Sequence, residues 1–317
     1  MAWMAMGFKL AYHKASWTDE GGFSTWTSSR KCVNKDTVVA EIKTEITDKV
    51  REEVRSFLSK NVIAVDDLRA CLGRCVCVAG LIHIWRPFVG MMWAPLNQPS
   101  TQSGAPPNCI WRAAIDIPLR WCLAFLNGEA GTLRREFTLA AYTGADAEVL
   151  VQIDASPWGL GGALFEAGCA QEYIHEALTE VDEDILQHKI GSANGQQAFE
   201  ALAILVMLRT WAPRWKGRRV KLAVKSDSVS ALTVLLKFKT IGEAPGVIAR
   251  EIALDVAGSV YSPTLVRHIP GVANTVADVL SRWFAPGGPP QLPPILAAAQ
   301  LRICPPRDRG WWRTLRR

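Results

Sequence analysis

Residues 148–178 read EVLVQIDASPWGLGGALFEAGCAQEYIHEAL. Three β-rich runs, EVLVQIDAS, GGALFEAG and QEYIHEAL, are separated by glycine or polar turns, the pattern of an antiparallel three-stranded meander. Downstream the period changes. From Gln196 to Trp211, apolar residues recur at helical spacing through Phe199, Leu202, Ala203, Leu205, Val206 and Leu208. RRVKLAVKS then predicts a strand, SVSALTVLLK a helix and 243–258 another helix. TLVRHI predicts a strand, and 274–284 a last helix opened by Asn274 as N-cap. Three strands followed by helix, strand, helix, helix, strand and helix make an α/β plan of about 135 residues.

Four acids hold particular places in this plan. Asp154 follows VQI on the first strand, and Glu200 lies in the first turns of the long helix. Asp227 ends the LAVKS strand. Asp278 lies in the first turns of the last helix, within HIPGVANTVADVLSR (268–282), with His268 just upstream. Each has an ordinary reading: turn former, solvated helix residue, N-cap of SVSALTVLL, and dipole compensation beside a surface histidine. Together they mean more, because strand C-termini and helix N-termini meet at one edge of an α/β sheet. Like charges gathered there raise one another's pKa, and divalent cations offset the repulsion. Hard oxygen ligands suit Mg²⁺ or Mn²⁺ rather than zinc. Two such ions ~3.5–4 Å apart can activate water and stabilise the leaving oxygen of a phosphodiester.

The rest of the chain sets limits. The net charge of +6 is carried largely by the segment from Arg302 onward, which holds six arginines and one aspartate. The body is therefore almost neutral and is no footprint for nucleic acid by itself. The eight cysteines are scattered through a chain long enough to build a core, which predicts reduced thiols and an intracellular place, cytoplasmic or nuclear. Cys71, Cys75 and Cys77 lie in an apolar helical stretch without a second ligand pair, so core packing is expected rather than zinc. No long apolar run suggests a signal peptide or membrane span. Upstream, 22–44 predicts a hairpin around KCVNKD, with helices from Thr47, over 66–84 and over 109–127. RTWAPRWKGRRVK (209–221) is read as a loop on the far side from the acids, with Trp211 and Trp215 packing a helix end. RDRGWWRTLRR at the C-terminus is either a single-strand-binding segment or disordered.

DASPWGLGG, QQAFEALAIL, KSDSVSAL and HIPGVANTVADVLSR resemble the four blocks of the ribonuclease H domain of retroelement reverse transcriptases, of the tyrosine-recombinase or long-terminal-repeat type. The resemblance implies a five-stranded mixed sheet with flanking helices. It implies that Asp154 and Asp227 are core metal ligands, with Glu200 and Asp278 completing a site for two Mg²⁺ or Mn²⁺ ions. His268 matches that family's mobile histidine, and Gln196, Gln197 and Asn274 match positions near the sugar edge of a bound hybrid. The implied substrate is the RNA strand of an RNA–DNA hybrid, recognised by 2′-OH groups and shape. GFKLAYHKA, FSTWTSSRKCVNKDTVVAEI, ITDKVREEVRSFLS and VDDLRACLGRCVCVAGLIHIWRPFVGMMWAPL resemble the end of a palm, then a mostly helical thumb and connection. AVDDL (64–68) is similar to a polymerase signature, but Asp66 and Asp67 open an amphipathic helix and no upstream strand offers a partner Asp, so no polymerase chemistry is read.

The expected division is 1–146 palm end, thumb and connection-like; 147–285 ribonuclease H-like; and 286–317 a disordered Pro/Gly-rich, basic tail. The chain is expected to be part of a truncated element, with the missing polymerase portion as a partner besides the hybrid. The alternative is a catalytically inactive nucleic-acid-binding or structural module of a decayed element. A small-molecule hydrolase has no nucleophile motif behind it.

Overall fold

The computed structural model describes residues 16–17, 23–24, 28–34, 37–97, 104–138, 147–216, 220–240, 242–261 and 265–316. The GFKLAYHKA segment and Gly217–Arg219 of the basic loop lie outside the described residues. The chain forms two compact units, residues 1–140 and 141–317. No helix among the described residues is long and apolar enough to cross a membrane.

In the first unit, β1 (Ser16–Trp17), β2 (Phe23–Ser24), β3 (Ser28–Asn34), β4 (Thr37–Ile42) and β7 (Arg134–Thr138) form one sheet in that order. The antiparallel pair β3–β4 is the hairpin expected around KCVNKD. Between β4 and β7 come α1 (Thr44–Leu58), β5 (Val62–Ala64), α2 (Val65–Leu81), α3 (Arg86–Trp93), β6 (Cys109–Trp111) and α4 (Asp116–Leu126). Val50, Val54 and Phe57 of α1 are buried at the spacing of one helical face. The helix expected over 109–127 begins only at Asp116. Asn108 takes a left-handed φ of 57°, and Cys109–Trp111 pairs antiparallel with β5 instead. Cys71, Cys75 and Cys122 are buried as packing residues, but Cys77, expected in the core, is exposed; the hydrogen bond with Cys75 and then burial push the Cys71 thiol upward, and burial does so for Cys122.

The second unit contains β8 (Ala147–Ala155), β9 (Gly159–Glu166), β10 (Cys169–Ala177), α5 (Glu180–Leu186), α6 (Gln196–Trp215), β11 (Val220–Ser226), α7 (Val229–Lys237), α8 (Glu243–Ala257), β12 (Leu265–His268), α9 (Thr275–Ser281) and β13 (Gln300–Leu301). The sheet order is β12-β11-β8-β9-β10-β13. β8, β9 and β10 are antiparallel neighbours, whereas β11 runs parallel to β8 and β12 parallel to β11. This is the five-stranded mixed sheet with flanking helices that the sequence predicts, widened by β13.

Alternation along β9 shows how the sheet is covered, because neighbouring residues point to opposite faces. A Cβ placed on Gly162 would meet Met207 and Trp211 of α6. One on Gly161 would lie 2.3 Å from the Ser281 nitrogen and 2.4 Å from the Ala277 oxygen of α9. Helix α6 thus covers one face, and α9 lies backbone-to-backbone on the other. Residues 209–215, expected in a loop, form the last turns of α6; Trp211 and Trp215 are buried there as expected, and the Trp211 indole donates to Glu172 at 2.9 Å.

The segment from residue 286, expected to be disordered, is folded onto the unit. Leu292, Leu296 and Ala299 join Phe165, Val276 and Leu280 in one apolar cluster over α9. β13 adds in parallel to the outer edge of β10. Arg307 is buried against Asp182 (2.8 Å) and Glu176 (3.2 Å), and Trp312 is fully buried. The Pro/Gly composition reflects an extended path rather than a lack of contacts, and Arg307, Arg309 and Arg313 find carboxylates on elements far upstream. One face of the Trp311 ring is taken by the Arg209 guanidinium, 4.2 Å from its centroid.

Candidate active site

The acids sit where strands of the second unit end and helices begin. Asp154 is the penultimate residue of β8. It is only 7% exposed, and the Ser281 hydroxyl at the end of α9 lies 2.7 Å from its Oδ2. Asp227 follows β11 directly. The sequence allows it to be the N-cap of the next helix, but Ser228 does that work, its side chain accepting from the Ala231 amide. The Asp227 carboxylate is therefore left for another use. Glu200 stands one turn into α6, and Gln196 donates to its Oε1 at 3.2 Å. Asp278 lies in the first turn of α9 and pairs with Arg282 at 2.7 Å.

The other three acids act on Asp154, and Asp227 acts on Glu200 as well. Burial pushes the Asp154 carboxyl up to about 7, the Ser281 hydrogen bond counters it, and Asp227, Asp278 and Glu200 push it further up. Glu200 is raised too, first by burial and also by Asp227, against hydrogen bonds from Ser228 and Gln196. Acids from β8, α6, the end of β11 and α9 are thus within electrostatic reach of one point. Among the described residues, no three His, Cys, Asp or Glu side chains already stand as a ready ligand cage. The donor set is all carboxylate, which fits a hard divalent cation such as Mg²⁺ or Mn²⁺. Asp278 would have to exchange Arg282 for the ion.

Two of the expected substrate contacts have other jobs. Asn274 is fully buried and cannot reach a bound duplex. It occupies the N-cap position of α9 without capping it. Its amide instead donates to the Ile153 carbonyl (3.2 Å) and Asp227 Oδ1 (3.3 Å), while its own oxygen accepts from Gln152 (2.9 Å). Gln196 donates to the Ala155 carbonyl at 2.6 Å besides Glu200. Both residues fix carboxylates in place. Gln197 is exposed on the first turn of α6 and remains open to a ligand. His268, exposed at the end of β12, places Nε2 3.1 Å from the Asp227 carbonyl oxygen. Sequence reasoning missed Ser281, Gln152 and Ser156. The Ser156 hydroxyl donates to the Ser281 carbonyl at 2.7 Å and pins the end of α9 to the β8–β9 turn. The Leu-Ser-Arg of the last motif carried a signal for Ser281, but nothing marked the other two.

The raised Asp154 pKa has a stability consequence. An acid harder to ionise in the folded than in the unfolded state costs stability once pH exceeds its unfolded value near 4, and the cost is complete above its folded value of about 7. In EDTA, Asp154→Asn should therefore gain stability over the native protein as pH rises from ~4 to ~7. Urea unfolding across that range reads the difference, and a constant difference would contradict it.

No family model and no curated protein matches the chain. Solved structures do. A ribonuclease H1 isolated from compost by a metagenomic approach aligns at 18% identity over 42% of this chain and 92% of that one, with a TM-score of 0.28. Two foamy viral protease–reverse transcriptase structures in complex with double-stranded DNA align at 12% and 14% identity over 78% and 79% of this chain, with TM-scores of 0.29 and 0.27. The chain spans 38% and 45% of the length of those two proteins.

Proposed function

We propose that the second unit is a metal-dependent endonuclease that cuts the RNA strand of RNA–DNA hybrids. The observation that carries the proposal is the gathering of Glu200, Asp227 and Asp278, from three separate elements, within electrostatic reach of the buried Asp154 on a fourth. A fold rarely keeps such repulsion without a use for it. Mg²⁺ or Mn²⁺ bound there would supply an activated water and stabilise the leaving oxygen. The chain's part is positional. Ser281 orients Asp154, Asn274 orients Asp227, and Gln196 orients Glu200. His268 stands at the rim beside Asp227, placed to carry a proton to or from a departing strand. Gln197, exposed beside this edge, is the remaining candidate for the ribose 2′-OH by which RNA differs from DNA. The first unit is proposed as the palm end, thumb and connection-like region of a reverse transcriptase, with the missing polymerase portion as its partner.

The test is cleavage of a labelled RNA–DNA hybrid in Mg²⁺, beside all-DNA and all-RNA duplexes. The native protein should cut only the hybrid. Asp154→Asn and Asp227→Asn should each reduce the rate by more than ~100-fold, the upper end of what loss of a supporting group costs. A folded, hybrid-binding native protein that does not cut ends the proposal, and cutting untouched by either substitution ends the site assignment. The ion pair between Asp278 and Arg282 favours a second reading, a non-cleaving nucleic-acid-binding module, because it occupies one of the four acids. Binding without cutting is the outcome that selects it.

A further inference from the structure

The sheet face that carries α9 also carries a row of cations. Lys221 and Lys225 alternate along β11 and so share a face. In register, Lys221 lies beside Glu148 of β8, and Lys225 lies between Gln152 of β8 and Arg267 of β12. Lys221 and Arg267 both reach Glu148, at 3.7 and 3.5 Å, which confirms the common face. Two of the three cations thus share one carboxylate. Lys225 is half-buried, and among the described residues no carboxylate pairs with it. Its neighbour on the adjacent strand is a second cation, and like charges directly opposite one another destabilise a sheet. The excess charge calls for an anion.

The row has a direction. Gln152, level with Lys225, donates to Asn274, and Asn274 donates to Asp227. The cations therefore begin beside the carboxylates and run back along β11 for about 13 Å, four residues at ~3.3 Å each. A duplex offers a phosphate every ~3.4 Å of axis on each strand, so a run of that length meets several. The acids repel the backbone where the cut is made, and a cationic row beside them would hold the flanking phosphates.

We propose that Lys225, Arg267 and Lys221 form a phosphate-binding stripe that holds the nucleic-acid backbone next to the carboxylate site. It rests on the proposed function for the choice of nucleic acid as the anion. The stripe contributes affinity and alignment and is indifferent to base sequence.

Binding of a fluorescently labelled RNA–DNA hybrid in EDTA, followed by anisotropy at increasing salt, separates this from cleavage. Lys225→Gln and Arg267→Gln should each weaken binding and reduce the slope of log K against log salt by about one, and the double variant by about two. Arg309→Gln, which removes an exposed cation paired with Asp184, should leave the slope unchanged. Lys225→Gln should melt no lower than the native protein, because it relieves a like-charge pair, whereas a structural lysine would lower the melting temperature. Unchanged slopes in folded variants overturn the stripe, as does a native protein that binds no hybrid. The expected slope reductions without any cleavage in Mg²⁺ leave the stripe standing and remove the endonuclease.

Discussion

Gly161→Ala is expected to undo the docking of α9 and to lower the stability of the second unit by about 3 kcal/mol or more, at or beyond the upper end of ordinary overpacking. The added methyl would meet the Ser281 nitrogen, the Ala277 oxygen and the Leu280 carbonyl carbon, at 2.3, 2.4 and 2.7 Å. These are backbone atoms of a helix and cannot rotate away. α9 must lift, and Ser281 and Asn274 would then lose their hold on Asp154 and Asp227. The stabilisation by Mg²⁺ that the proposed site implies should be lost as the urea midpoint falls. Gly73→Ala is the contrast. It lies in α2 with nothing within 4 Å of the new methyl, so it should stabilise by about 1 kcal/mol through helix propensity alone. A Gly161→Ala protein as stable as the native one would show that α9 is not held as described.

The second large effect is expected at Arg307. Its side chain is 1% exposed and Asp182 is 0% exposed, so Arg307→Met leaves a buried carboxylate without its counter-ion. Breaking such a pair from one side costs ~3–5 kcal/mol. Adding Asp182→Leu should recover much of that loss, because the penalty lies in the orphaned charge rather than in the missing bond. Chemical denaturation of the two variants checks this, and a double variant no more stable than Arg307→Met alone would refute it. A parallel network surrounds Arg209, which binds Glu251 and Asp255 together with Arg313, Thr314 and Tyr261. Two independent clusters of buried charge thus hold residues 307–314 to the unit.

The main sheet of the second unit was legible because β-branched alternation and helical spacing are local. EVLVQIDAS and QQAFEALAIL carry their patterns within one element, and the acids could be placed by counting along them. The tail was opaque for the opposite reason. Arg307 and Thr314 are satisfied by Asp182 and Glu251, Trp312 is fully buried, and no local period announces partners 63 and 125 residues away. The same limit hid the true work of Asn274 and Gln196. Their motif positions were readable, but their buried bonds to Asp227, Ile153 and Ala155 exist only once the strands are assembled. At Cys109–Trp111 an apolar run long enough for a helix pairs with β5, a case of tertiary contact overriding local pattern.

The strap of residues 294–314 also imposes an order on the making of the protein. It is synthesised after everything it fastens. Until it arrives, the outer edge of β10 is unpaired, and Asp182, Glu251 and Asp255 lack part of their counter-charge. A nascent chain at that stage exposes a strand edge of the kind that recruits other chains. Completion of the second unit therefore waits for this strap to emerge, and its slowest long-range contacts form after the acidic edge itself can assemble.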